Sequence, residues 1–333
     1  MKHVNVALFA VHEGCPHMCS FCNQKSISGS CKKLSPEDVV SAAKTAIESG
    51  ADPATSEIAF FGGSFTMIER DYMLALLSTA RQFVDAGFFK GIRISTRPDA
   101  IDEEICSILR EYRVTSVELG AQSMNDTVLS LNRRGHSAQD VENASRLLKK
   151  RGFELGLQMM TGLYGSTDED SVETAKRIIA LSPDTVRIYP TVVLEGTELD
   201  RLMKSGEFIP QDAQGAADLG GKLLWMFHEA GIRVIRFGLH SGGDVQGNFT
   251  GGAFHPALRE MAESRIYLNN ALLAAGEKAG KATLFVNPRE ISKMAGQKKE
   301  NLQKLSAHGL ICRVKADESL DKYEVKISFD EFT

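Results

Sequence analysis

The first two-thirds of the chain alternates short apolar runs with longer stretches of helical period. Six runs rich in Val, Ile, Phe and Leu and bounded by Gly, Pro or polar residues read as strands, at 4–11, 57–61, 92–96, 116–120, 154–160 and 185–190. Between them apolar side chains recur at helical spacing, as at Val172, Ala175, Ile178 and Ile179. The helix starts carry caps. Ser35-Pro36 with Asp38 combines an N-cap, a first-turn proline and an acidic first turn, and Gly50 supplies the stop. Thr167 with Asp170 opens another helix, and Asp102-Glu103-Glu104 places carboxylates at the positive end of a third. Six strand–helix repeats, the last helix at 215–229, predict a parallel sheet with right-handed crossovers. A closed eight-unit barrel takes about 250 residues. Residues 1–230 are therefore expected to form an open α/β structure, a partial (β/α)6 TIM-type barrel, with chemistry at the carboxyl ends of its strands.

From residue 231 the pattern changes. Six glycines fall within 238–252, followed by a helical stretch at 256–276, a strand at 282–286, a basic helix at 290–308 and two short strands. This predicts a small α/β C-terminal domain over 231–333.

Composition adds little to this picture, and charge adds one feature. With 43% hydrophobic and 25% charged residues, the 333-residue chain is of ordinary globular type. A net charge of −4 gives no overall pull toward nucleic acid or membrane, so such a partner must meet a local patch. No apolar run approaches the roughly 20 residues that span a bilayer. The N-terminus enters the first strand without an apolar h-region, so the expectation is a cytoplasmic protein with no membrane partner. Between Lys278 and Lys315, nine Lys or Arg face only Glu290 and Glu300, a local charge of +7. That run reads either as a solvated helix face or as a phosphate-binding patch for RNA.

Directly after the first strand lies Gly14-Cys15-Pro16-His17-Met18-Cys19-Ser20-Phe21-Cys22. Three cysteines within eight residues suit a metal site better than a disulfide framework. One short loop can offer three thiolates to three irons of a 4Fe–4S cluster, leaving the fourth iron open. A zinc site completed by His12 or His17 and a closed cluster completed by Cys31 are the other readings. Cys106 and Cys312 read as small buried hydrophobes, and His240 and His255 as structural.

The Cys-x3-Cys-x2-Cys spacing, with Phe21 before the last cysteine, resembles the signature of the radical S-adenosylmethionine superfamily. The resemblance implies that Cys15, Cys19 and Cys22 ligate a 4Fe–4S cluster. It further implies that the open iron chelates S-adenosyl-L-methionine, which is cleaved to methionine and a 5′-deoxyadenosyl radical. An electron donor such as ferredoxin or flavodoxin follows from the same chemistry. Phe60-Phe61-Gly62-Gly63-Ser64 resembles the motif that holds the methionine amino group, which implicates Phe21, Gly62, Gly63 and Ser64 in cofactor binding. Ile94-Ser95-Thr96-Arg97-Pro98-Asp99 resembles a segment of the Elongator catalytic subunit, with Ser95 where that family has glutamate.

Glu118-Leu119-Gly120-Ala121-Gln122-Ser123 and Asn132-Arg133-Arg134-Gly135-His136 resemble segments shared by the Elongator subunit and oxygen-independent coproporphyrinogen oxidases. They imply that Gln122 contacts the ribose or methionine part and that Arg134, not Arg133, pairs with the methionine carboxylate. The segment from Gly156 to Gly165 implies that Gln158 touches the ribose. Arg187 to Thr197 resembles the Elongator sixth-strand segment. The resemblance spans about residues 5–210, in the Elongator-like branch without its acetyltransferase domain, and implies RNA, tRNA in particular, as substrate class. A radical enzyme acting on a peptide or small metabolite, and a non-catalytic iron–sulfur or zinc RNA-binding protein, are the competing readings.

Overall fold

A computed structural model describes residues 5–10, 15, 19–23, 33–239 and 247–330. His12, His17, Cys31 and His240 lie outside the described residues. The chain runs β1 (Asn5–Phe9), α1 (Pro36–Glu48), β2 (Glu57–Phe61), α2 (Arg70–Asp85), β3 (Gly91–Thr96), α3 (Glu103–Glu111) and β4 (Val114–Gln122). Two helices follow, α4 (Asp126–Leu131) and α5 (Ala138–Lys150), then β5 (Glu154–Thr161), α6 (Asp168–Ala180), β6 (Thr185–Pro190), β7 (Val192–Leu194) and α7 (Glu198–Lys204). The remainder is α8 (Ala213–Glu229), β8 (Arg233–Phe237), β9 (Phe249–Gly252), α9 (Leu258–Ala275), β10 (Gly280–Val286), α10 (Ile291–Ala295), α11 (Glu300–Ala307), β11 (Leu310–Ala316) and β12 (Lys326–Phe329).

Seven strands form one sheet in the order β1-β2-β3-β4-β5-β6-β8. Every neighbour is parallel. This is the expected partial barrel, with one strand more than the six repeats provided. The sequence pattern places residues 233–237 in the C-terminal domain, since the glycine-dense run begins immediately after them. They pair instead with β6, Thr185 opposite Arg233 and Arg187 opposite Arg236. The capping boxes at Ser35/Asp38 and Thr167/Asp170 form as read, and a third closes at Ser137/Asp140. Each such cap contributes about 1 kcal/mol.

The two faces of the sheet differ in kind. Ile58, Phe60, Ile92, Ile94, Val117, Leu119, Leu155, Leu157, Val186 and Ile188 alternate on one face and are fully buried. Each contributes about 1.5–3 kcal/mol on leaving water. The other positions carry Glu57, Arg93, Ser95, Ser116, Glu118, Gln158 and Arg187, so the inner face of the half-barrel is polar.

The chain divides into two compact units interleaved in sequence, 1–210 with 230–252, and 211–229 with 253–333. The helix at 213–229, read from sequence as closing the sixth repeat, groups with the C-terminal residues. There α8 packs on α9 through Gly221, where a Cβ would lie 2.9 Å from both the Ala262 carbonyl oxygen and Arg265 Cβ. The rest of that unit is a three-stranded sheet in the order β11-β10-β12, mixed parallel and antiparallel. The basic stretch 290–308 is two short helices rather than one, broken where Lys298 and Lys299 adopt left-handed backbone at φ 49° and 63°.

Candidate active site

Strand β4 ends irregularly. Its pairing to β5 shifts between Gly120 and Gln122, and Gln122 takes φ 65°. A bulge of this kind re-aims the side chain beyond it, and a left-handed non-glycine residue at a strand end marks a site where the backbone is held under strain. Here it sets Gln122 beside Gly120. A Cβ on Gly120 would lie 3.0 Å from Gln122 Nε2 and 3.3 Å from Arg134 Nη2. Glycine therefore keeps a space open between an amide and a guanidinium.

Arg134 comes from the loop between α4 and α5. Its Nη2 donates to the Gly120 carbonyl at 2.8 Å and its Nη1 to Cys19 Sγ at 3.2 Å. The side chain is buried, and its Nε has no partner among the described residues; Gln122 Oε1 is in the same condition. Buried polar atoms are nearly always bonded, so an orphan atom on each of the two side chains that flank Gly120 marks a place for a ligand. Arg133, next in sequence, points away and pairs with Glu198 at 3.2 Å with 60% of its side chain exposed.

The cysteine loop is tied to this segment through Asn132, which is fully buried. Ser20 Oγ donates to Asn132 Oδ1 at 2.7 Å, and the Ser20 N–H to the Asn132 carbonyl at 3.2 Å. Asn132 Nδ2 donates in turn to the Val128 and Tyr164 carbonyls at 2.8 and 2.9 Å. One amide thus joins the loop after β1 to those after β4 and β5. Sequence reasoning passed over Asn132, whose only signal was its place next to Arg133-Arg134.

Cys15 is exposed, and Cys19 and Cys22 are half-buried. The Cys22 N–H donates to the Cys19 carbonyl at 3.1 Å. Among the described residues the thiols are not drawn together into a ligand set; thiolates of such sites gather on the metal they bind. Phe21 packs against the cluster of Val193, Leu199, Leu202 and Phe208, with its ring centroid 6.0 Å from the Arg134 guanidinium.

Gly62 has φ 94°, and a Cβ there would meet the Ala10 carbonyl oxygen at 3.0 Å, so β1 and β2 end in close backbone approach. Gly63 follows it in the same turn. Ser64 is committed to the fold, its Oγ 2.9 Å from Thr96 Oγ1 and accepting from the Arg97 N–H at 3.3 Å. Gln158 lies opposite Gly120 on β5, and its Nε2 donates to Glu118 at 2.9 Å. Cys106 is buried, and burial pushes its thiol up to about 11; Cys312 is half-buried. His255 Nδ1 accepts from the Ala257 N–H at 3.1 Å, a structural role.

His136 closes the segment. Its Nε2 lies 3.1 Å from the Ala121 carbonyl, and burial, with the Arg134 charge second, drives its pKa down to about 4. The folded chain therefore binds this proton less readily than the unfolded one. Stability from this group is complete above about pH 6.5 and declines as pH falls toward 4. At pH 5 the loss is about 2 kcal/mol. Urea unfolding at pH 7.5 and pH 5 is expected to show that difference in wild type and a smaller one in His136→Gln; equal differences in the two proteins would assign the acid sensitivity to other groups.

The inner wall of the half-barrel carries an ion network absent from the expected site. Arg93, 5% exposed, meets Glu57 at 2.7 Å, Glu154 at 2.8 Å and Glu118 at 3.3 Å. Burial alone would lower the Arg93 pKa, and the carboxylates of Glu57 and Glu118 more than reverse it. Glu118 also grips Arg187, at 2.7 Å to Nε and 3.0 Å to Nη2. One charged residue on each of four successive strands, Glu57, Arg93, Glu118 and Glu154, is the available signal, obscured when each strand is read by itself.

The basic segment is less cationic than its sequence. Lys293 is held by Glu263 and Glu290 at 2.8 and 2.9 Å, Lys304 by Glu300 at 2.7 Å, and Arg313 pairs with Asp330 at 3.3 Å. Glu263 and Asp330 lie outside 278–315, so counting charge within that window missed them. Lys281, Lys298, Lys299 and Lys315 are exposed.

An open parallel half-barrel, with a three-thiol loop after its first strand and a buried arginine facing that loop, defines a cofactor-dependent α/β enzyme. The chain belongs to the radical SAM superfamily: residues 10–178 match the model of the Radical SAM superfamily, and 183–268 that of the Radical_SAM C-terminal domain. It is 39% identical to the tRNA uridine(34) acetyltransferase of Methanocaldococcus infernus over 129 residues, 38% of this chain and 24% of that protein. To Elongator complex protein 3 of Homo sapiens it is 31% identical over 184 residues, 53% of this chain and 32% of that protein. The solved structure of archaeal M. infernus Elp3 with an N-terminal deletion covers 80% of this chain and 68% of that one, at a TM-score of 0.61 and 22% identity, a likeness of fold. The chain therefore spans about a quarter to a third of the length of these curated relatives. It is a radical SAM enzyme, Elongator-like over that part, and the family implies a 4Fe–4S cluster and S-adenosylmethionine. The donors present fit both: three thiols on one loop, and a buried guanidinium and amide beside Gly120 with Nε and Oε1 unpartnered among the described residues. Among the described residues no helix is long and apolar enough to cross a membrane.

Proposed function

We propose that this chain reductively cleaves S-adenosylmethionine and uses the resulting radical on RNA, with tRNA the leading substrate. Cys15, Cys19 and Cys22 would hold a 4Fe–4S cluster, which would supply the electron for reductive cleavage of S-adenosylmethionine and so the radical chemistry on substrate. Arg134 holds the methionine carboxylate, for which its planar fork is suited. Gln122 accepts from the cofactor with its orphaned Oε1, and the Gly62 and Gly63 carbonyls accept from the methionine ammonium. Phe21, packed on its apolar cluster, backs one side of the loop. Asn132 holds the loop against the segment that carries Arg134.

The observation that carries this reading is Arg134 itself, buried 3.2 Å from Cys19 Sγ with an unpartnered Nε. RNA is supported by the relatives named as tRNA uridine(34) acetyltransferases.

Arg134→Ala is expected to weaken S-adenosylmethionine binding. Losing a charge-assisted pair costs about 1.5–3 kcal/mol, on the order of ten- to a hundredfold. Arg133→Ala, a change to an exposed residue, is expected to leave affinity within about twofold. Anaerobic titration of both variants, with 5′-deoxyadenosine measured by chromatography, checks this. Equal affinities would remove Arg134 from the site. Absence of 5′-deoxyadenosine from reconstituted wild type would favour the non-catalytic RNA-binding reading.

A further inference from the structure

One row of residues crosses the inner wall at a single register. Gly120 of β4 lies opposite Gln158 of β5, Gln158 opposite Arg187 of β6, and Arg187 opposite Arg236 of β8. The last pairing depends on a shift in register between β6 and β8 that skips Ile235. The row therefore starts at the glycine between Gln122 and Arg134 and ends in two adjacent cations.

Two like charges directly opposite on neighbouring strands are destabilising, and strands lie only about 4.8 Å apart. Glu118 offsets one of them. It is itself 1% exposed and divided among Arg187, Arg93 and the Gln158 amide. Gly156 makes this reach across β5 feasible, because a Cβ there would lie 2.7 Å from Glu118 Cγ. Among the described residues no carboxylate pairs with Arg236. Its Nε donates to the Gly238 carbonyl at 3.0 Å, and its terminal nitrogens have no partner among the described residues. The Arg187 guanidinium is oriented further by Phe61, whose ring centroid is 5.2 Å away. Tyr189, two residues along β6, is held in its protonated, donating form chiefly by burial. Donors and two guanidiniums thus gather where β6 and β8 meet on the inner face, and among the described residues Glu118, already shared with Arg93, is the carboxylate that answers them.

We propose that Gln158, Arg187 and Arg236 form a phosphate subsite on the inner wall, which seats a substrate phosphate next to the cofactor space at Gly120. In this subsite the phosphate lies between the two guanidiniums and relieves their repulsion, Arg187 gives a fixed fork and Arg236 an adaptable one. Gln158 then contacts substrate through Glu118-oriented geometry, whereas the family resemblance assigned it to the cofactor ribose. The subsite rests on the reading of RNA as substrate, but a phosphorylated metabolite presents the same chemistry, and the experiment separates the two.

Anaerobically reconstituted full-length chain is titrated with inorganic phosphate, a 5′-mononucleotide, the matching nucleoside, and a short single-stranded RNA at several salt concentrations. The mononucleotide is expected to bind at least tenfold tighter than the nucleoside, with inorganic phosphate competing. Arg236→Gln should remove that preference and lower the RNA salt slope by about 0.7, the share of one phosphate contact, while Arg236→Lys retains most of it. Thermal unfolding of both variants checks the fold, and the wild-type comparison of mononucleotide with nucleoside stands even if they fail it. If nucleotide and nucleoside bind wild type alike, or neither binds, the subsite is wrong. If RNA binds and Arg236→Gln leaves the slope unchanged, the subsite is again wrong while RNA remains the substrate. If the mononucleotide preference depends on Arg236 but RNA does not bind, the subsite stands, its phosphate belongs to a small metabolite, and the RNA reading fails.

Discussion

Cys19→Ala is expected to leave the reconstituted protein without its cluster, iron falling from about four per chain to near zero. Formation of 5′-deoxyadenosine should vanish with it. The effect is total because three thiolates are the smallest protein set that holds three irons and leaves one open. Cys19 is also the thiol that Arg134 addresses, at 3.2 Å. On the proposed reading, loss of this residue removes a ligand together with its contact to Arg134. Cys31→Ala is the matching control and is expected to keep both iron and product. Iron analysis, the cluster's visible absorption and product chromatography decide between them. A Cys31→Ala protein that also loses its iron would replace the open-iron site by a closed four-cysteine one.

Arg93→Met is expected to destabilise the fold by about 3–5 kcal/mol, the range for removing one partner of a buried ion pair. Methionine retains most of the volume, so the loss is electrostatic. Glu57 and Glu118 are almost wholly buried, and both lose the same cation. Glu57 keeps a bond from Ser116 Oγ at 2.7 Å, and Glu118 keeps Arg187, which holds the loss within that range. Urea unfolding at neutral pH measures it. A loss below about 1 kcal/mol would mean that the carboxylates protonate or rehydrate without cost, and that Arg93 does not organise the inner wall.

Local chemistry explains what was legible beforehand. Ser35 and Asp38 cap a helix through atoms three residues apart, so their pattern is complete within the segment. The strand at 57–61 is apolar over four of its five residues and bounded by polar turns, and it forms where it was read. The cysteine spacing is equally local. The strand at 233–237 was missed because its role depends on pairing with β6, some fifty residues earlier. The charge run at 278–315 was overcounted for the same reason, since Lys293 finds Glu263 on another helix.

The candidate site divides along that line. The sequence by itself determined the three-thiol loop and the glycine pair after β2, both matters of spacing along the backbone, while the choice of Arg134 over Arg133 is what the family resemblance implies. Only the tertiary structure decided that Asn132 ties three loops together, that a bulge turns Gln122 back beside Gly120, and that Glu118 reaches across Gly156 to hold Arg187. A strand's side chains meet partners selected by register with neighbouring strands, and register is set by how whole apolar faces pack, not by the residues next in the chain.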